Sequence, residues 1–102
     1  SHGVLRDRRV LAEEGVVVVI VTVDAKTGEV VAGPEIITRG WIHAPEAEEL
    51  LEEARRRVIE AIGQAADTEI ETIKRHARKA LGKFVSERTR RRPMIVPVVM
   101  EV

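Results

Sequence analysis

The chain has 102 residues, 44% hydrophobic and 33% charged, with a formal net charge of +0; this is one globular domain with a single core, and it excludes a disordered segment. There is no cysteine, which removes disulfides, thiolate zinc sites and cysteine nucleophiles and fits a reducing cytoplasm. No apolar run approaches the ~20 residues of a membrane span, so no membrane partner is expected. The neutral total conceals an uneven layout. Residues 43–73 carry nine acids against three arginines, whereas residues 74–92 carry nine Lys or Arg and one acid, Glu87. That asymmetry is the one compositional pointer to an anionic partner.

Ser1-His2 reads as a tag remnant, and the chain as a piece of a longer protein. Residues 1–14 are expected to be a charged lead-in, with a turn of helix at Val10 to Glu14 before Gly15. The domain is expected over 15–102. Val16 to Asp24 is the first strand, and eight consecutive β-branched residues, Val16–Val23, rule out the usual alternation of apolar and polar faces. Val17, Val19, Val21 and Val23 point to one side; Val16, Val18, Ile20 and Thr22 point to the other. A chain this short, forming one sheet under one helical layer, can roof only one of those faces. A second copy or another part of a larger protein is therefore expected on the far side.

Ala25-Lys26-Thr27-Gly28 predicts a hairpin turn. The second strand, about Glu29 to Thr38, contains Gly33-Pro34, which predicts an edge strand kinked or bulged there. Pro45 near the first position and Glu46, Glu48 and Glu49 in the first turn open a helix. Its apolar stripe is Ala47, Leu50, Leu51, Ala54, Val58, Ala61, Ile62 and Ala65, and it ends near Ala66. Asp67 or Thr68 is expected to cap a second helix with Ile70, Ile73, Ala77, Ala80, Leu81 and Phe84 buried. The short connection makes the two helices antiparallel. Pro93 ends the helical part, and Met94 to Val102 is a third strand, with Pro97 marking another edge. The expected fold is α+β: ββααβ, a three-stranded mixed sheet with a two-helix layer on one face, the first strand central, antiparallel to the second and parallel to the third.

Catalytic chemistry needs converging groups, and none are legible. His2, His43 and His76 stand singly, outside any zinc-binding spacing. Glu46, Glu49, Glu53 and Glu48, Glu52 recur at helical steps; they could hold a hard cation, but a solvated face paired with Arg55, Arg56 and Arg57 accounts for them more simply. Ser86 has no partner that would make it a nucleophile, and the glycines form no phosphate-binding loop. No catalytic, cofactor-binding or metal residue is assigned. The basic segment offers Lys74, Arg75, Arg78, Lys79 and Lys83 on the outward face of the second helix, then Arg88, Arg90, Arg91 and Arg92. Lys79, Lys83 and the four arginines are candidate contacts to an RNA or DNA backbone. Set against this, cations also stabilise a helix C-terminus by themselves, and no aromatics are interleaved to stack bases. Trp41, beside Arg39-Gly40, is a candidate interface anchor, with simple intramolecular packing as the alternative.

Four segments together resemble a known family. They are Arg6-Asp7-Arg8-Arg9 leading to Leu11-Ala12-Glu13-Glu14-Gly15; the Val-rich strand with Asp24-Ala25-Lys26-Thr27-Gly28; Gly33-Pro34-Glu35-Ile36-Ile37-Thr38-Arg39-Gly40-Trp41; and Arg91-Arg92-Pro93 running through Met94 to Val102. The chain resembles the C-terminal domain of bacterial ribonuclease J. The resemblance implies a piece of a metallo-β-lactamase-fold, β-CASP ribonuclease that degrades RNA 5′ to 3′, favours a 5′-monophosphate end and can cut internally. It implies zinc in the parent, bound by upstream histidines and aspartates, and none in this chain. It also implies a cytoplasmic helper domain associated with dimerisation. Two readings follow. The chain is a non-catalytic module that self-associates or docks on the parent's catalytic domains, with Val16, Val18, Ile20, Val17, Val19, Val21 and Trp41 as candidate interface residues. Alternatively, it contacts the RNA backbone through the basic segment. An autonomous enzyme is the least supported reading.

Overall fold

The computed structural model describes residues 14–40 and 47–102. Its elements are β1 (Val16–Val23), β2 (Val30–Arg39), α1 (Ala47–Gly63), α2 (Ile70–Thr89) and β3 (Met94–Glu101). They form one three-stranded sheet in the order β2-β1-β3, with β1 antiparallel to β2 and parallel to β3. The ββααβ α+β fold read from the sequence is the fold observed. The expected lead-in turn at Val10 to Glu14, Trp41, His2, His43, Pro45 and Glu46 lie outside the described residues, apart from Glu14.

β-Branched side chains fit a pleated surface, and β1 uses both of its faces unequally. Val17, Val19, Val21 and Val23 are buried, alternating with half-buried neighbours. They pack under Ala54, Val58 and Ile62 of α1 and Ile73, Ala77, Leu81, Phe84 and Val85 of α2, with Ile36 and Val99 from the flanking strands. Leu50, Leu51 and Ile70, expected in the stripes, only lean on this core. Thr72 and Val85 are buried without having been expected.

The hairpin turn is tied by Asp24. Its side chain accepts the Lys26 and Thr27 N–H groups at 2.8 and 2.9 Å, and its carbonyl accepts the Gly28 N–H at 2.8 Å. Gly28 has the positive φ, +75°, that this turn demands. These backbone donors favour the charged carboxylate and hold Asp24 below its ordinary range.

β2 is an edge strand with register shifts opposite Ile20, Thr22 and Val23, and its Gly33-Pro34 peptide is cis. Gly33 has φ +84°, and a Cβ added there would stand 2.7 Å from the Ile20 carbonyl oxygen. Both backbones are fixed by the ladder, so neither can yield. Gly33→Ala is expected to lower stability by about 1–3 kcal/mol, the usual range for a residue forced into such backbone space. Urea midpoints check this; an unchanged midpoint contradicts it.

β3 is the other edge. Met94 N–H donates to the Gly15 carbonyl at 3.1 Å and Val102 N–H to that of Val23 at 3.0 Å. Even-numbered residues of β3 therefore aim their backbone groups at β1, and odd-numbered residues aim theirs outward. Pro97 occupies an outward position, where its missing N–H removes no ladder bond and interrupts the free edge.

The helix ends depart from the sequence reading. α1 stops at Gly63 rather than near Ala66: the poor helix former closes it, and the chain tightens through Gln64 N–H to Ala61 and Ala65 N–H to Ile62, at 3.2 and 3.1 Å. The cap of α2 is Glu69, without a side-chain capping bond, rather than Asp67 or Thr68. Asp67 instead accepts the Glu69 N–H at 2.9 Å and a hydrogen bond from Thr72, which lowers its pKa. Among the described residues no helix is long and apolar enough to cross a membrane.

Candidate functional site

Residues paired across the sheet share a face, so the register defines the side that the helices leave bare. On β1 that side carries Val16, Val18, Ile20 and Thr22. Opposite them stand Arg39, Ile37 and Glu35 on β2, and Met94, Val96, Val98 and Met100 on β3. Val96, Val98 and Met100 are exposed at 36%, 37% and 49%. The β3 half of this face carries no charge. The β2 half carries one of each sign, Glu35 and Arg39.

Of the interface candidates, Val16, Val18 and Ile20 are on this open face. Val17, Val19 and Val21 are corrected: at 1% exposure they belong to the helix-covered core and offer a partner no surface. The β3 residues Val96, Val98 and Met100 were missed as interface candidates. Their signal was present in the alternation of Met94-Ile95-Val96-Pro97-Val98-Val99-Met100, but parity alone does not say which set the helices cover.

The basic candidates do not form one continuous site. α1 and α2 run antiparallel, with Glu53 meeting Arg88 and Arg57 meeting Phe84, and with Ala61 and Ala80 lining one hollow farther along the pair. The Arg57 and Arg88 guanidinium carbons lie 5.5 and 5.1 Å from the Phe84 ring centroid. Glu53 fixes both, accepting from Arg88 and, at 3.3 Å, from Arg57. Arg88 thus closes the helix pair over Phe84. Arg90 is the α2 C-cap, at φ +60°, its N–H donating to the Ser86 carbonyl at 2.9 Å. Arg91 N–H donates to the Thr89 hydroxyl oxygen at 3.1 Å, and Arg92 is exposed. Lys79 and Lys83 lie in the seam between the helices.

The hydrogen bond from Arg88, helped by Arg57, holds the Glu53 carboxyl below its ordinary range. A depressed carboxylate adds stability above its unfolded value, and that contribution is lost as the pH falls through the folded value. Glu53→Gln is expected to lower the melting temperature at neutral pH. The gap to the parent chain should close once the pH falls below the ordinary carboxylate range, while Asp24 and Asp67, both depressed, keep the two chains acid-labile. Thermal melts across that window check it; a constant gap contradicts it.

Of the remaining acids of α1, Glu52 pairs with Arg55 at 3.7 Å on the surface, and Glu48, Glu49 and Glu60 carry no ion pair among the described residues. Among the described residues no three His, Asp or Glu side chains gather where a metal ion could sit.

The family model described as the ribonuclease J C-terminal domain matches residues 3–102. The chain is 43% identical to Ribonuclease J2 of Bacillus subtilis (strain 168) over 97% of its length, and 44% identical to Ribonuclease J 2 of Staphylococcus epidermidis and of Staphylococcus aureus over the same share. It spans 18% of the length of each of these relatives. With nearly the whole domain matched, the chain belongs to the ribonuclease J C-terminal domain family.

Proposed function

We propose that this domain is the non-catalytic C-terminal module of a ribonuclease acting in cytoplasmic RNA processing and decay, and that its task is to join copies of the parent or to dock on the parent's catalytic domains. The parent is read as a zinc-dependent enzyme of the metallo-β-lactamase/β-CASP type, with exonucleolytic 5′-3′ and endonucleolytic action, its metal held by other domains. The relatives' name, ribonuclease, supports the RNA role. The single observation that carries the module reading is the apolar sheet face opposite the helices, with Val96, Val98 and Met100 in water. Contiguous apolar patches on soluble proteins mark interaction sites. The free edges are poor alternatives, because Pro97 and the Gly33-Pro34 irregularity interrupt strand addition. The experiment is sedimentation equilibrium of the chain beside a variant with a charge set into this face. Concentration-dependent association that the charge abolishes supports the reading; a chain that stays monomeric at the highest soluble concentration overturns self-association.

A further inference from the structure

On the side of the helical layer away from the sheet, α1 and α2 leave an open seam. Two adjoining hollows share Ala61, Gln64, Ala80 and Lys83, and Lys79 and Arg75 extend the basic wall. Ala61 from α1 and Ala80 from α2 are small lining residues common to both hollows, and they leave room for a ligand's backbone between the longer side chains. Arg75, Lys79 and Lys83 are spaced i, i+4, i+8 along α2, one row of cations about 6 Å apart, comparable to the step between successive phosphates of an extended strand. Lys79 and Lys83 have no hydrogen bond or ion pair among the described residues. Arg75 feels only the carboxylate of Asp67 from a distance. Arg57, at the far end, is taken by Glu53. Glu60 is the one acid on the lining.

We infer that this seam is a binding track for the phosphodiester backbone of a single-stranded nucleic acid, with Arg75, Lys79 and Lys83 each facing a phosphate and Gln64 offering its amide from the turn that follows α1. Lysine supplies a point charge rather than a fork matched to one base. Of the described Phe, Tyr and Trp side chains only Phe84 lines the hollows, and it is buried; the one imidazole there is that of His76. The track therefore reads the backbone and not the sequence. It is separate from the open sheet face and stands or falls independently of the module reading.

The test is fluorescence anisotropy of the chain with a labelled twelve-nucleotide oligouridylate at low salt, repeated as salt is raised. The Arg75→Gln/Lys79→Gln/Lys83→Gln variant changes exposed or half-exposed positions, and circular dichroism confirms its fold. It should bind at least about tenfold more weakly, with the slope of log K against log salt shallower by about 2 for three lost single-strand phosphate contacts. An oligoadenylate should bind as well as the oligouridylate. Val98→Glu, on the opposite side of the domain, should leave binding unchanged even where it abolishes self-association. No binding by the parent chain, equal binding by the triple variant, loss of binding from Arg90→Gln/Arg92→Gln with the seam intact, or equal competition by a polyglutamate peptide each overturns the proposal.

Discussion

Phe84→Ala is expected to cost about 3–5 kcal/mol, the range for removing a large aromatic side chain from a packed core. Phe84 is the largest fully enclosed side chain but for a 2% exposure, seated among Leu81, Val85 and the β1 valines. It is also the one aromatic of the described core. A domain of this size is stable by only about 5–15 kcal/mol, so the substitution removes a large share of the total. The ring does more than fill volume, since two guanidiniums lie over it and Glu53 ties both to α1. Phe84→Leu restores most of the apolar bulk without the π face, and should recover most but not all of the loss. A double-mutant cycle of Phe84→Leu with Arg88→Gln should give a coupling of about 0.5–1 kcal/mol, as for a cation–π contact whose cation is still partly wet. Urea denaturation of the four chains measures both quantities. A loss below about 1 kcal/mol for Phe84→Ala would show that the seam collapses over the gap, and a coupling of zero would remove Arg88 from the helix clasp.

Most of the architecture could be read from local signals. Prolines at 34 and 97 allowed only one strand, β1, to be central, and the positions of Ala54, Val58 and Ile62 against Ile73, Ala77 and Leu81 gave two amphipathic helices. Strand order and direction followed. What stayed out of reach depends on contacts between segments distant in sequence. Eight β-branched residues say that both faces of β1 are apolar, but which set meets the helices is fixed only by how the crossover packs, so in the sequence Val17, Val19 and Val21 read the same as Val16, Val18 and Ile20. Arg88 reads as one more cation in a basic run, because its partner Glu53 is 35 residues away. Asp67 was the better cap by propensity, yet the 3₁₀-type tightening after Gly63 leaves it two residues early, where it serves the Glu69 N–H instead. The seam was half legible. Arg75, Lys79 and Lys83 fall on one helical row in the sequence, whereas the small lining residues Ala61 and Ala80 come together only through the packing of the two helices.

Val98→Glu and Val96→Glu are expected to turn a self-associating chain into a monomer while leaving it folded. Both side chains stand more than a third exposed on the edge strand, so a carboxylate there keeps its water in the monomer and loses it only when the face is covered. Burying it unpaired costs several kcal/mol, and a second copy would present the same carboxylate nearby. The size of the face sets how strong the association should be. Eight-residue strands in a three-stranded sheet give a footprint of roughly 380 Å², well short of the about 800 Å² per partner in a standard stable interface. The isolated chain should therefore associate weakly, with a dissociation constant in the micromolar range or above, and the remaining area would come from the rest of a longer protein. Sedimentation equilibrium on the parent chain and the two variants, with thermal melts to show that each is folded, decides the matter. Lys79→Gln, away from the sheet, serves as the control that should not shift the equilibrium. If both glutamate variants associate as the parent chain does, the partner of the open face is not a second copy, and of the two proposed tasks only docking on other domains is left for the bare valines of β1 and β3.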